Sequence, residues 1–148
     1  MRTEKIKIKK LSSHARLPVY GSEFSAGADL CALLASDLKI LPGETAFVPT
    51  GLAMEIPAGF VGLIYARSGL ACKEGLAPAN KVGVIDSDYR GEILIALHNH
   101  SQNEKTVHDG DRIAQVVITP YLKAEFCEQQ ELESSVRGGG GFGSTGRN

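Results

Sequence analysis

The chain has 148 residues, the size of one domain whose core folds without disulfide or metal staples. Its 16 basic and 17 acidic side chains nearly cancel, which excludes a general electrostatic binder of nucleic acid. An anionic small ligand stays compatible with this balance, because a few arginines in one cleft suffice.

Short strands with turn punctuation dominate the pattern. Glu4–Lys10 alternates lysine with Ile6 and Ile8, as a half-buried edge strand does. Ala28–Leu34 is the next candidate. Leu38–Leu41 stops at the turn Pro42-Gly43, and Thr45–Pro49 resumes. Leu52–Ile56 runs into a second turn at Pro57-Ala58-Gly59. Phe60–Tyr65, Lys81–Ile85, Gly91–His98, Lys105–Val107, Arg112–Thr119 and Tyr121–Phe126 complete the strands. Asp109-Gly110 predicts a tight hairpin between two of them. Only Ser68–Lys73 suits a short helix. Turn signals every ten or so residues, without a long 3.6-residue period, predict an all-β sandwich, barrel or jelly roll.

From about Leu132 the apolar pattern stops. Residues 1–131 are therefore expected to form the β domain and 132–148 a separate arm. A run as glycine-rich as Gly138–Gly143 cannot hold one conformation alone, because glycine loses the most backbone entropy on ordering. Yet the arm carries Arg137, Phe142, Ser144 and Thr145, parts that suit closure over a phosphorylated, ring-bearing ligand. A frayed terminus is the competing reading. It is no Rossmann turn, since no helix follows it. Gly138–Thr145 has the spacing of a Walker A loop, but Ser144 stands where that loop needs lysine.

Cys31, Cys72 and Cys127 are odd in number, far apart and never in C-x-x-C, which reads as reduced thiols. Met1–Lys10 has no apolar run of a signal peptide, and no stretch approaches the ~20 apolar residues of a membrane span. A cytoplasmic or nuclear protein with no membrane partner is expected.

Three polar clusters interrupt the strands. Ser25-Ala-Gly-Ala-Asp29-Leu30 places an aspartate where a turn former is also common. Arg67-Ser68-Gly69 offers a guanidinium, a hydroxyl and an open N–H, the parts of a phosphate cradle and also of an ordinary loop. Gly83-Val-Ile-Asp86-Ser-Asp88-Tyr89-Arg-Gly91 sets two carboxylates and a tyrosine in a tight turn. A carboxylate there can serve as general base on water, or simply favour the turn. His98 and His100 have no third metal ligand nearby, and Cys72 has nothing beside it that marks a nucleophile. Asp109 and Asp111 read as turn residues.

Taken together, the clusters are more specific. Ala26–Leu30, Arg67–Leu70, Asn80–Gly91, Gly110–Gln115 and Arg137–Gly146 follow the order A-G-x-D-L, R-S-G-L, N-x-x-G-x-I-D-x-D-Y-x-G, G-x-R-I-A-Q and R-G-x-G-G-F-G-S-T-G. This set resembles the motifs of the trimeric dUTP pyrophosphatases and spans nearly the whole chain. The resemblance implies a jelly-roll-like β fold and a homotrimer whose sites borrow residues from all three subunits. It implies hydrolysis of dUTP to dUMP and pyrophosphate with Mg²⁺, which keeps uracil out of DNA and supplies dUMP for thymidylate synthesis.

The same resemblance implies residue roles. Asp86 activates the attacking water. Tyr89 packs under the deoxyribose. Asn80 and the backbone around Gly83, Val84 and Ile85 read the uracil edge. Arg67, Ser68, Gly69 and Gln115 bind phosphates. Asp29 holds Mg²⁺ through its water shell. In the arm, Arg137 reaches the γ-phosphate, Phe142 stacks on uracil, and Gly143, Ser144 and Thr145 bond phosphate. One position departs from the pattern: Ala66 stands where the family usually has proline. A dCTP deaminase on the same fold and a non-catalytic trimeric binding module are the alternatives. The first needs another acid–base set, and the second is favoured by loss of Asp86, Tyr89 or the arm, none of which is lost.

Overall fold

The computed structural model describes residues 3–141. Twelve strands in chain order are β1 Lys7–Lys10, β2 Val19–Tyr20, β3 Ala28–Cys31, β4 Leu38–Ile40, β5 Thr45–Pro49, β6 Leu52–Glu55, β7 Phe60–Tyr65, β8 Leu76–Pro78, β9 Gly83–Ile85, β10 Leu94–Asn99, β11 Lys105–Val107 and β12 Arg112–Pro120. They form an all-β, jelly-roll-like fold. The largest sheet has the order β2-β3-β12-β7-β9, and a second has β5-β10-β8. The pairs β1-β6 and β11-β4 complete it, and every recorded pairing is antiparallel.

Period-two alternation explains the core. On β10, Ile95, Leu97 and Asn99 point inward and are buried, while Leu94, Ala96 and His98 face out. Leu30, Val48, Leu52, Ile93 and Ile113 meet them with at most 1% exposure. Asn99 is a buried polar anchor. Its amide donates to the carbonyls of Ile40 (2.9 Å) and Asn103 (2.8 Å) and accepts from the Ser101 N–H (2.9 Å) and hydroxyl (2.8 Å). Its hydrogen bonds fix the β10–β11 turn against β4.

Two expectations change. The Asp109-Gly110 turn forms, with Gly110 at φ 82°, but it does not close a hairpin. β11 leaves to pair with β4, and β12 leaves to pair with β3 and β7. Asp109 is drawn away from its own turn, accepting from the Leu34 N–H (3.0 Å) and pairing with Arg16 (3.4 Å). Tyr121–Phe126 makes no strand; Leu122 and Phe126 are 98% and 95% exposed, and every residue from Tyr121 to Gly141 is exposed. Pro120 ends the ladder, and no neighbouring strand extends past Phe60, its pairing partner, to continue it. The expected short helix forms from Ser68 to Glu74; its stretch Leu70–Glu74 is a wide turn closed by Gly75 at φ 71°.

Candidate active site

The outward face of the large sheet carries the first half of the site. On β3, Asp29 faces out while Ala28 and Leu30 are buried. Across the ladder, Gln115 of β12 stands opposite Asp29, and Tyr65 of β7 stands opposite Gln115. Arg112 and Gln115 are three apart, so a regular strand sends them to opposite faces. A β-bulge between Arg112 and Ala114 absorbs one residue, so that Arg112 pairs with Cys31 while Gln115 still pairs with Asp29. Both polar side chains therefore reach the outer face, and Ile113 and Ala114 are both buried. The bulge is the local feature that assembles the cleft.

Asp29 lies at the centre of this cleft, with a side chain 14% exposed. Its Oδ1 accepts from Arg67 Nε at 2.7 Å and its Oδ2 from an Arg112 guanidinium nitrogen at 3.1 Å. Arg67 also donates to the Arg112 carbonyl at 3.4 Å. Two guanidiniums share one carboxylate, so the cleft keeps a net positive charge suited to an anion. Ser68 and Gly69 complete the wall of a cavity of about 470 Å³. A Cβ at Gly69 meets open space, so the glycine leaves its N–H open to close approach. Gln115 donates from Nε2 to the Ala66 carbonyl at 2.9 Å. Ala66 supplies that carbonyl as a proline does, so the departure from the family pattern leaves this contact intact.

The second half sits elsewhere. β9 pairs with β7 through Gly62–Ile85, Leu63–Val84 and Ile64–Gly83, so Asp86 falls beside Val61. Arg67 lies six residues along the same strand direction, roughly 20 Å away at ~3.3 Å per residue. Asp86 and Tyr89 border a small cleft of about 170 Å³ with Val84, Ile85, Glu92 and Leu94. Tyr89 folds back so that its hydroxyl donates to the Glu92 carbonyl at 2.9 Å. Its ring covers Gly91, where a Cβ falls 2.6 Å from the ring's Cζ; only glycine permits this pose. The Glu92 carboxylate accepts from the Gly51 N–H at 2.7 Å and ties the turn to β6. Asn80 begins the turn before β9, with Lys81 in the left-handed region at φ 63°. Gly83 is buried against β7, where a Cβ would come 3.1 Å from Cβ of Ile64.

The fold thus brings Asp29, Arg67, Ser68, Gly69 and Gln115 together, and separately Val84, Ile85, Asp86 and Tyr89, while Gly83 and Asn80 lie at the opposite end of β9, beside Ile64. Arg137 is exposed, its Nε donating to the Gly140 carbonyl at 2.8 Å. Phe142, Gly143, Ser144 and Thr145 lie outside the described residues. Sequence reasoning missed Arg112 as a cleft residue. It stands inside the motif Gly110–Gln115, but only the bulged register turns it toward Asp29. Tyr65, unexplained by the sequence, forms the cleft edge.

Other polar groups are accounted for nearby. His98 Nδ1 bonds the Thr45 hydroxyl at 2.8 Å, and its ring packs edge-on to His100 with centroids 4.4 Å apart. Desolvation, then the His98 and Lys81 charges, lower the pKa of His100. No group of three or more His, Cys, Asp or Glu that could hold a metal by itself occurs among the described residues. No helix among them is long and apolar enough to cross a membrane.

Comparison with known proteins agrees with this arrangement. A family model described as dUTPase matches residues 13–146. A deoxyuridine 5'-triphosphate nucleotidohydrolase of Desulfitobacterium hafniense is 54% identical over 132 residues, 88% of this chain and 87% of that one. One from Nautilia profundicola is 48% identical over 143 residues, covering 97% and 99%. The Staphylococcus bacteriophage 80alpha dUTPase with dUPNHPP superposes with a TM-score of 0.87 at 32% identity, covering 97% and 99%. A variant dUTPase from phage phi11 of S. aureus, described for its coordination of a structural Mg(II) ion, gives 0.79 at 27% identity, covering 88% and 100%. With its two site halves held on a matching scaffold, the chain belongs to the dUTPase family, which hydrolyses dUTP.

Proposed function

We propose that this chain turns dUTP into dUMP and pyrophosphate at a site shared between copies of itself in a homotrimer. The observation that carries the reading is the separation of the halves. The cationic cleft around Arg67 and the carboxylate turn around Asp86 lie roughly 20 Å apart on one chain. No water can touch Asp86 and attack a phosphorus held by Arg67 of the same subunit. A neighbouring copy that sets its own Asp86 turn beside the cleft completes the site.

In that site Asp86 takes the proton of the attacking water, and Arg67, Ser68, Gly69 and Gln115 hold the phosphates. Arginine neutralises charge as it develops on the leaving pyrophosphate. Asn80 and the backbone at Gly83, Val84 and Ile85 read the uracil edge. Tyr89 packs on the sugar, where a ribose 2′-OH finds neither space nor partner. The arm, residues 132–148, closes over the nucleotide of a third subunit. There Arg137 reaches the γ-phosphate, Phe142 stacks on the base, and Gly143, Ser144 and Thr145 bond the phosphates. Closure excludes water other than the nucleophile.

The donors present fit Mg²⁺. That ion is commonly held by one or two carboxylates plus substrate phosphates and keeps several waters. Asp29 has both oxygens on guanidiniums, which suits an outer contact through water and not direct ligation. When bound, Mg²⁺ supplies charge neutralisation on the triphosphate. The product role is to limit uracil in DNA and to provide dUMP in the cytoplasm, with no nucleic acid or membrane as partner. Pyrophosphate release is measured with dUTP beside dCTP, dTTP and UTP. Turnover confined to dUTP is expected. Ammonia release from dCTP favours the deaminase reading, and no turnover of any of them favours a binding module.

A further inference from the structure

We propose that Gly27 is a positioning residue for Gln115, kept free of a side chain so that the Gln115 amide can lie across it. The proposal rests on the reading of the cleft as the phosphate side of the dUTP site, and it adds a residue to which no role is assigned there.

The geometry is specific. A Cβ built on Gly27 falls within the van der Waals shell of Gln115 Oε1, 2.9 Å from its Cδ and 3.2 Å from its Cγ. All three nearest atoms belong to that one side chain. Gly27 is not among the glycines at positive φ, so backbone conformation does not require glycine there. The atoms that stand closest against a methyl group are those of Gln115. On its other side the amide is fixed by donating Nε2 to the Ala66 carbonyl at 2.9 Å. The amide thus spans three segments: the loop before β3, the end of β7 and the strand after the bulge. It is half-buried and has one committed donor, so Oε1 and the second N–H keep a defined direction in the cleft.

A methyl group at position 27 forces the flexible amide to move and leaves the backbone where it is. Displacing the amide breaks the bond to Ala66 and turns its donor away from the phosphates. A misplacement of ~1 Å in a positioning group can cost about a hundredfold in rate.

The test is a double-mutant cycle on the full chain, with dUTP, Mg²⁺ and pyrophosphate release. Gly27→Ala is expected to lower kcat/KM for dUTP by about tenfold to a hundredfold, with Tm and oligomeric state near those of the unaltered protein. Gln115→Ala removes Cγ, Cδ and Oε1 together, so in that background Gly27→Ala is expected to change kcat/KM by less than about twofold. An equal loss in both backgrounds overturns the proposal, because the methyl then acts on something other than Gln115. A Gly27→Ala protein with full kcat/KM also overturns it. If Gly27→Ala fails to fold while the Gln115→Ala, Gly27→Ala pair folds, the clash is with Gln115 and the steric half of the proposal stands. If both fail to fold, it falls. Failure of the unaltered chain to hydrolyse dUTP refutes the underlying reading instead, and is scored separately.

Discussion

A shared site predicts that two dead chains restore each other. Asp86→Asn removes the proton acceptor and keeps the turn, a loss of about 10²–10⁴-fold for a general base. Arg67→Ala removes the guanidinium that Asp29 orients at 2.7 Å. On one chain these residues stand at opposite ends of β7, roughly 20 Å apart. In the proposed cyclic trimer each site takes Arg67 from one subunit and Asp86 from its neighbour. Equal amounts of the two variants, mixed under mild denaturation and reassembled, place an intact Arg67 beside an intact Asp86 in about one half times one half, or roughly a quarter, of the sites. Pyrophosphate release per subunit should therefore rise from near zero for either variant to about a quarter of the unaltered rate. The doubly substituted chain, mixed with unaltered chain, serves as the control for exchange. A mixture as inactive as its parents, in the face of demonstrated exchange, refutes the shared site and with it the argument from separation.

Tyr89→Ala should reduce the preference for dUTP over UTP in kcat/KM by about tenfold or more, the size of a lost steric or pairing mismatch of about 1–3 kcal/mol; an unchanged ratio means the sugar is read elsewhere. Deleting residues 137–148 should spare the proposed trimer, measured by light scattering, and remove most of kcat/KM. Phe142→Ala alone should weaken nucleotide binding by about 1–3 kcal/mol of stacking. Asn99→Leu takes the side-chain partner from the buried Ile40 carbonyl and from the half-buried Ser101 N–H, while the Asn103 carbonyl keeps the Ser101 hydroxyl; at about 1–3 kcal/mol per orphaned group, Tm in a thermal melt should fall by roughly 5 °C or more. His108, hydrogen-bonded to Asp37 at 2.8 Å and beside its charge, should titrate above 6.5 by NMR and return toward that value in Asp37→Asn. Because folding raises this pKa, its stabilising contribution is complete below about pH 6.5 and fades as pH rises through the raised value.

Strands bounded by turn residues were legible from the sequence. Phe60–Tyr65, Thr45–Pro49 and Lys105–Val107 end where their patterns end. β8 was not, because Leu76-Ala-Pro78 is too short to show a period and carries a proline. Pairing was also hidden. Asp109-Gly110 has the chemistry of a hairpin turn, and nothing local says that Asp109 will bond Leu34 instead. Site residues were legible as motifs, since the resemblance names residue types in order. Their grouping was not, because it depends on register. The bulge at Ile113 leaves no mark in Arg112-Ile-Ala-Gln115, yet it decides that both polar ends of that run share a face.

Register also explains why such a site divides between copies. The cleft lies on the face of the sheet, built by three adjacent strands, β3, β12 and β7. The Asp86 turn lies on β9, the edge of the same sheet. Positions six residues apart along a strand cannot converge, so a face site and an edge site of one sheet stay separate however the loops are adjusted. Between them the outer face carries Val61, Leu63, Val84 and Val117, apolar side chains that in the proposed trimer a second copy covers. The charges suit the same contact: Arg67 and Arg112 on the face, Asp86 and Asp88 at the edge. Such a contact joins unlike patches of identical chains, so it must propagate, and it stays finite only if the rotation closes. The proposed ring of three closes it and makes every cleft meet one turn. The sheet that keeps the two halves apart within a subunit is then what holds them at a fixed spacing between subunits.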